Sequence, residues 1–341
     1  MRGLVAVLAL LVTFAGGNEA ARPPVPRGEI FVVGADGRGR QNLTRTAAIE
    51  SEIALSPDGR RIAYARSEGM RSQIWVMNVD GSGQRRLTTG EDEERAPAWS
   101  PDGHRLVYTV NDYGGCYPGG TRCAVTDAWT INADGSAQRK ILDSALQPRW
   151  SPGGRRLLFQ RHFELNVGTS GLYVASSNGT AVTLLVRTGL WSPELVPPAW
   201  GPGGRKIVYG ETFGPLYVVR LSTVTADGRR WRTLTSGWAP AWAPDGSRIA
   251  FARRSGIWVI PSRGGRPRRI AAETGRQHRP PSPAWSPAGK QLAYITGREL
   301  FVARVDGHSK KLVAQGAAGG RDRFLSPPVW SRNGRRLYYP S

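Results

Sequence analysis

The chain has 341 residues, of which 40% are hydrophobic, 43 are Gly, 25 Pro and 12 Trp. That much Trp excludes a solvated, disordered chain, and the abundance of turn residues points to many short strands joined by tight turns. The formal charge of +21, carried mostly by Arg, attracts nucleic acid, anionic lipid or anionic cell-wall polymer.

The first segment, Met1-Arg2 followed by the apolar run Leu4–Phe14 and small residues at Ala15-Gly16-Gly17 and Ala20-Ala21, has the layout of an export signal. Its apolar run is short for a membrane span, although an uncleaved anchor is the other reading of the same pattern. The division that follows is a signal over 1–21, a short linker over 22–28 and one β domain over 29–341. The expected location is periplasmic or extracellular. Two Cys, Cys116 and Cys123, lie close together. In an exported protein such a pair reads as a structural disulfide, worth about 2–3 kcal/mol for a loop this short. A redox pair is the less natural reading, because the spacing is not that of a CxxC motif.

Just past the linker come Ile30-Phe31-Val32-Val33, a turn at Asp36-Gly37, and Asn42-Leu43-Thr44. After this half-unit the chain repeats itself. Leu55-Ser56-Pro57-Asp58-Gly59-Arg60-Arg61-Ile62-Ala63-Tyr64 returns as Trp99-Ser100-Pro101-Asp102-Gly103-His104-Arg105-Leu106-Val107-Tyr108. Further copies begin at Trp150, Trp200, Trp242, Trp285 and Trp330, so that successive copies lie 44, 51, 50, 42, 43 and 45 residues apart. Each copy reads as four strands. The residues ending at Trp form the first, Pro-Asp-Gly turns the chain, and Ile-Ala-Tyr forms the second. A third follows at Ile74–Met77, Ala128–Ile131, Leu172–Val174, Leu216–Val219, Ile257–Ile260 and Leu300–Val302, and a second turn leads to the fourth. Four short antiparallel strands in such a period make one propeller blade.

The last copy stops at Tyr338-Tyr339-Pro340-Ser341 with two strands, and the N-terminal half-unit supplies the missing two. The expected fold is therefore all-β: a seven-bladed propeller of four-stranded antiparallel blades, closed by a composite blade, with six blades as the alternative count. The repeated Trp reads as core between blades, whereas the off-pattern Trp191, Trp231 and Trp238 are candidates for surface contacts.

The Trp-Ser-Pro-Asp-Gly…Ile-Ala-Tyr repeat resembles the WD40-like repeat of the TolB propeller family. That resemblance implies a propeller fold but not one activity, since such blades occur in partner-binding periplasmic proteins, in prolyl-oligopeptidase-like enzymes and in some lyases. TolB itself, by the same resemblance, has an added N-terminal α/β domain and six blades.

No Gly-x-Ser-x-Gly elbow occurs, Gly168-Thr169-Ser170-Gly171 having the wrong spacing, so serine-hydrolase chemistry is not expected. Of the four His, His104 and His308 fall in turns, and His162 and His278 belong to different blades. No catalytic residue, metal site or cofactor is assigned. The turn Asp residues are expected to bond their own backbone rather than calcium.

In a four-stranded blade the first and second turns open on one face. That face collects Arg60, Arg61, Arg155, Arg156, Arg205, Lys206, Arg335 and Arg336 as a candidate basic rim. The acidic run Glu91–Glu94 and the Cys116–Cys123 loop go to the other face. A rim of Arg that merely solvates the disc is the simpler alternative.

The functional expectation is a non-catalytic interaction scaffold, monomeric, with a protein or peptide on the loop face and an anionic envelope polymer or lipid at the rim. No specific nucleic acid partner is expected. The alternative is a propeller enzyme, a glycan lyase or hydrolase, with its site in the central channel.

Overall fold

A computed structural model describes residues 28–69, 71–112, 125–161, 171–187, 197–213, 218–272, 281–317 and 327–341. They form seven four-stranded antiparallel sheets. Blade 1 consists of Ile49–Leu55, Arg61–Glu68, Arg71–Asn78 and Arg85–Arg86. Blades 2 to 6 span residues 93–142, 146–187, 199–236, 238–272 and 284–315. Blade 7 is the composite: its strands run Val329–Trp330, Arg336–Pro340, Ile30–Gly34 and Gln41–Asn42, from the inside outward. The ring closes through pairing of Ile30 with Pro340 through to Gly34 with Arg336. Two further backbone bonds, Gly28 N to Ser341 O at 2.6 Å and Ser341 N to Glu29 O at 2.8 Å, extend the closure.

First strands of neighbouring blades touch, as in blades 1 and 2 and again in blades 7 and 1, so they line the axis and the fourth strands form the circumference. Every second strand is buried on both sides. In blade 1, Ile62 and Tyr64 face blade 7 while Ala63 and Ala65 face blade 2. The two-residue alternation of a strand thus feeds two seams at once, and the sequence reads as an unbroken apolar run rather than an alternating one. The core consists of seven clusters of buried residues, one in each seam.

The repeated motif is explained at the seams. Trp99 Nε1 donates to Ala54 O at 3.1 Å, Trp200 Nε1 to Arg149 O at 3.3 Å, and Trp285 Nε1 to Ala241 O at 2.9 Å. Each acceptor belongs to the preceding blade. The preceding blade also lays a guanidinium on the indole: Arg61 on Trp99 at 4.7 Å, Arg105 on Trp150 at 4.9 Å, Arg156 on Trp200 at 5.2 Å and Arg248 on Trp285 at 5.1 Å. The Gly of each first turn rests on the Pro of the preceding turn, with a Cβ at Gly103 falling 3.7 Å from Pro57 Cδ. Gly59 meets Arg332 instead, because blade 7 has Arg in the Pro position. Its Nη1 donates to Pro57 O at 3.2 Å. Blade 1 likewise has Leu55 where the others have Trp, so the closing seam is built differently from the other six.

Two expectations need correction. The described part of the third strand of blade 4 runs Val218–Thr225, beyond the expected end at Val219, and residues 216 and 217 lie outside the described residues. Trp238 is not a surface contact. It packs in the seam of blades 4 and 5 beside Val208, Leu221 and Phe251.

Because the indole carries packing, a hydrogen bond and a guanidinium contact together, Trp285→Ala should lower unfolding stability by about 3–5 kcal/mol in urea titration. A loss within about 0.5 kcal/mol, the range of an ordinary surface substitution, would contradict this account of the seam.

Candidate functional site

The two turns of each blade share one face. In all seven blades the second turn donates a backbone N–H to the first: Val79 N to Arg60 O at 3.1 Å, Ala133 N to His104 O at 2.8 Å, Ser177 N to Arg155 O at 2.9 Å and Ala226 N to Arg205 O at 2.9 Å are four of them. The other three are Ser262 N to Ser247 O at 2.8 Å, Val305 N to Lys290 O at 3.0 Å and Ala35 N to Arg335 O at 2.8 Å.

On this turn face the eight rim residues fall into two groups. Arg60, Arg155, Arg205, Lys206, Arg335 and Arg336 are exposed. Arg61 and Arg156 are half-buried in seams: Arg61 donates to Gly103 O at 3.2 Å, and Arg156 to Gly204 O at 3.0 Å and Ala226 O at 3.2 Å. Fourth-strand cations serve a similar purpose. Arg85 donates to Asp134 O at 3.3 Å, Arg268 to Asp306 O at 2.9 Å, and Lys311 to Asp36 O at 2.7 Å, each onto the next blade's second turn. Part of the Arg excess is therefore seam material. An open cleft of about 490 Å³ between blades 1 and 2 is lined by Arg61, Arg85, His104, Asn132 and Asp134. Both of its guanidiniums are already engaged in the way just described.

The turn carboxylates are turned inward on their own loops. Asp58 accepts from Ser56 Oγ at 2.5 Å and Arg60 N at 3.0 Å, Asp102 from Ser100 Oγ at 2.6 Å and His104 N at 3.0 Å, and Asp245 from Ser247 N at 3.0 Å. Hydrogen bonds to the ionised form hold all three below the usual carboxylate range. His104 and His308 are exposed. His162, His278, Trp191, Cys116 and Cys123 lie outside the described residues.

The acidic run Glu91–Glu94 divides. Glu91 is exposed, 3.6 Å from Arg71. Glu93 pairs with Arg95 at 2.5 Å and accepts from Asn111 Nδ2 at 2.9 Å. Glu94 is buried and accepts from Thr88 Oγ1. Half of the run is thus internal structure.

The channel wall holds a group that the repeat alone did not single out. The first strands of blades 1, 2, 3 and 5 each carry a bulge whose central residue is left-handed: Glu52 (φ 54°), Ala96 (54°), Gln147 (48°) and Ala239 (49°). Glu52 accepts from Ala96 N in blade 2 at 2.7 Å, and Arg149 of blade 3 donates to Ala96 O at 3.2 Å. Burial pushes the Glu52 carboxyl up, against the pull of Ala96 N, Arg95 and Arg149, and burial pushes the Arg149 guanidinium down. Aligning the copies shows the signal: Glu52-Ile53 stands where blades 2, 3 and 5 have Ala-Pro or Gln-Pro. Among the described residues no group of three or more His, Cys, Asp or Glu could hold a metal ion.

Because the Glu52 pKa is raised on folding above its ordinary 4.5, its ionisation works against the fold, and stability is lost as pH rises through the folded value. Urea unfolding should therefore show the stability advantage of Glu52→Gln over wild type growing from pH 4.5 to pH 8. A difference that is flat with pH, or shrinks, would contradict that assignment.

Residues 26–186 match the family model of the TolB beta propeller domain, PD40. The chain is similar to TolB from Acinetobacter baumannii, with TM-score 0.52 and 16% identity, covering 83% of this chain and 64% of that one. It is also similar to an oligogalacturonate lyase solved with manganese, with TM-score 0.60 and 14% identity, covering 78% of this chain and 79% of that one. An uncharacterized peptidase, YuxL of Bacillus subtilis (strain 168), is 30% identical over 115 residues, which are 29% of this chain and 16% of the peptidase. The chain thus spans less than two thirds of the TolB chain and a small part of the peptidase. These neighbours include both TolB and propeller enzymes, and at such identities the structural likeness concerns the fold. Residues 26–186 thus match the TolB-type propeller repeat, and the described residues build seven four-stranded blades of one construction.

Proposed function

We propose that this propeller is an exported, non-catalytic interaction scaffold whose turn face meets an anionic envelope polymer or lipid surface and whose loop face holds a protein or peptide. The observation that carries the reading is the turn face itself. Arg60, Arg155, Arg205 and Arg335 are exposed there, while Asp58, Asp102 and Asp245 are committed to their own loops. Fixed cations on a rigid disc raise the local concentration of anions and steer their approach. The segment 1–21, read as an export signal, supports a location outside the cytoplasm.

A second reading draws on the channel. Glu52 and Glu93 with Arg95 and Arg149 are the convergent charges that a glycan-acting propeller enzyme would use, and a lyase shares the fold. Against it, Glu52 is tied to Ala96 N, and Glu93 to Arg95 and Asn111.

Phosphatidylglycerol vesicles should retain the protein at about 50 mM salt and release it at about 500 mM, where screening is several-fold shorter in range. Arg155→Gln with Arg205→Gln should weaken retention. Release of unsaturated or reducing ends from a glycan, abolished by Glu52→Gln, would favour the enzyme instead.

A further inference from the structure

The carboxylates of the turn face are not spread evenly round the disc. Blades 1 and 2 have Asp in both turns, at Asp58, Asp80, Asp102 and Asp134. Blade 3 has Gly153 and Asn178 at the corresponding places, and blade 4 has Gly203 in its first turn. Blade 5 has Asp245 in its first turn and Arg263 in its second. In blades 3 to 5 the turn carboxylates are thus Asp227 and Asp245, while blades 6 and 7, with Ala288 and Asn333 in their first turns, keep one each, Asp306 and Asp36. Asp227 accepts from Thr225 Oγ1 at 2.5 Å and Arg229 N at 3.1 Å, and the Arg229 guanidinium stands 3.9 Å from it.

The sector is continuous. Arg156 of blade 3 bonds the first and second turns of blade 4, through Gly204 O and Ala226 O, so the turn that carries exposed Arg155 lies beside the turns carrying Arg205 and Arg229. Arg232 of blade 4 donates to Arg263 O in the second turn of blade 5. In the middle stands Trp231, the first residue of the outer strand Trp231–Ser236, 70% exposed and flanked by Arg229, Arg230 and Arg232. It pairs across the strand with Val224, which packs in the seam of blades 3 and 4. The indole therefore lies on the blade 3 side of its strand and the Arg232 side chain on the blade 5 side.

We infer that this sector of blades 3 to 5 is a binding strip for an anionic polysaccharide, with Trp231 as the platform for one sugar ring and the flanking arginines taking carboxylates. This rests on the reading of the turn face as functional and narrows it to one sector and one ligand class. An aromatic anchor of a protein interface sits in a recess that removes it from water. Trp231 stands open, as a flat apolar face with Arg229 and Arg230 just before it in the chain. A pyranose can cover such a face with its C–H side while its hydroxyls stay hydrated, and guanidinium forks match carboxylates in geometry. The strip crosses three blades, which suits a chain ligand with repeating charge.

The test is fluorescence anisotropy with labelled alginate oligomers, and with labelled poly-L-glutamate, at about 50 mM salt, where electrostatic attraction is weakly screened. Trp231→Ala, at an exposed site that leaves the fold intact, should weaken alginate binding about tenfold. Arg229→Gln with Arg230→Gln should weaken it at least as much. Arg38→Gln with Lys290→Gln, which removes the same charge from blades 7 and 6, should cost twofold or less. Alginate affinity unchanged by Trp231→Ala overturns the proposal. So does poly-L-glutamate binding equally tightly with the same dependence on Trp231, which would indicate an acidic protein partner. Equal losses in the two double variants overturn the sector and leave a diffuse rim, with the broader reading intact. A protein that holds neither alginate nor anionic vesicles removes the broader reading itself.

Discussion

The structure depends on what happens to the indole at the end of each first strand. At Trp99, Trp200 and Trp285 it belongs to one blade and is held by the blade before it, through a carbonyl that accepts its N–H and a guanidinium laid on its face. Because the blades share no single core, each seam must be stable by itself, with its own apolar cluster and its own polar fastening. The arginine on an indole is among the stronger surface-edge contacts a side chain makes, at about 0.5–2 kcal/mol depending on burial. The small turn residues matter as much. A Cβ at Gly179 would overlap the Ile141 carbonyl of the preceding blade, and one at Gly81 the Leu43 carbonyl, so these two second turns nest against their neighbours only as glycine.

That dependence changes how the charge is understood. Arg61, Arg85, Arg156 and Arg268 reach the next blade's carbonyls, and their charge serves assembly before any partner arrives. The cations left for a partner are those such as Arg155 and Arg205 whose positions fall on the open rim. Turn carboxylates such as Asp58, Asp102 and Asp245 accept from donors of their own loops, which hold them ionised well into acid, so their negative charge stays beside the rim cations. Asp306, down at about 2, shows the extreme. The turn face is least acidic where Gly or Asn replaces the turn Asp, as at Gly153, Asn178 and Gly203.

Much of the fold could be read from the sequence, because the repeat records a local rule applied seven times. Trp, Pro, Gly and Arg in that order, as at Trp99, Pro101, Gly103 and Arg105, specify the seam, a turn and its neighbour's contact. The composite blade was legible too, since Ile30–Val33 and Tyr338-Tyr339 are each half of the same unit. What escaped was set by contacts between copies. Glu52 is one residue in a weak copy, and its significance depends on Ala96 of blade 2 and Arg149 of blade 3 lying along the same channel wall. Trp238 looked off-pattern, yet the bulge at Ala239 brings it into a seam. Trp231, equally off-pattern, ends on the surface. Nothing in the composition of the two sites separates them; the strand register does.

The central claim is a closed ring, in which the chain's two ends share one blade and every seam is fastened. Native-state hydrogen exchange read by mass spectrometry tests it most directly. Amides of Ile30–Gly34 and Arg336–Pro340 should exchange as slowly as those of Arg248–Arg253, a second strand in the middle of the ring. Exchange of the terminal strands within the time of exposed turns, while Arg248–Arg253 stays protected, would mean an open arc of blades rather than a ring.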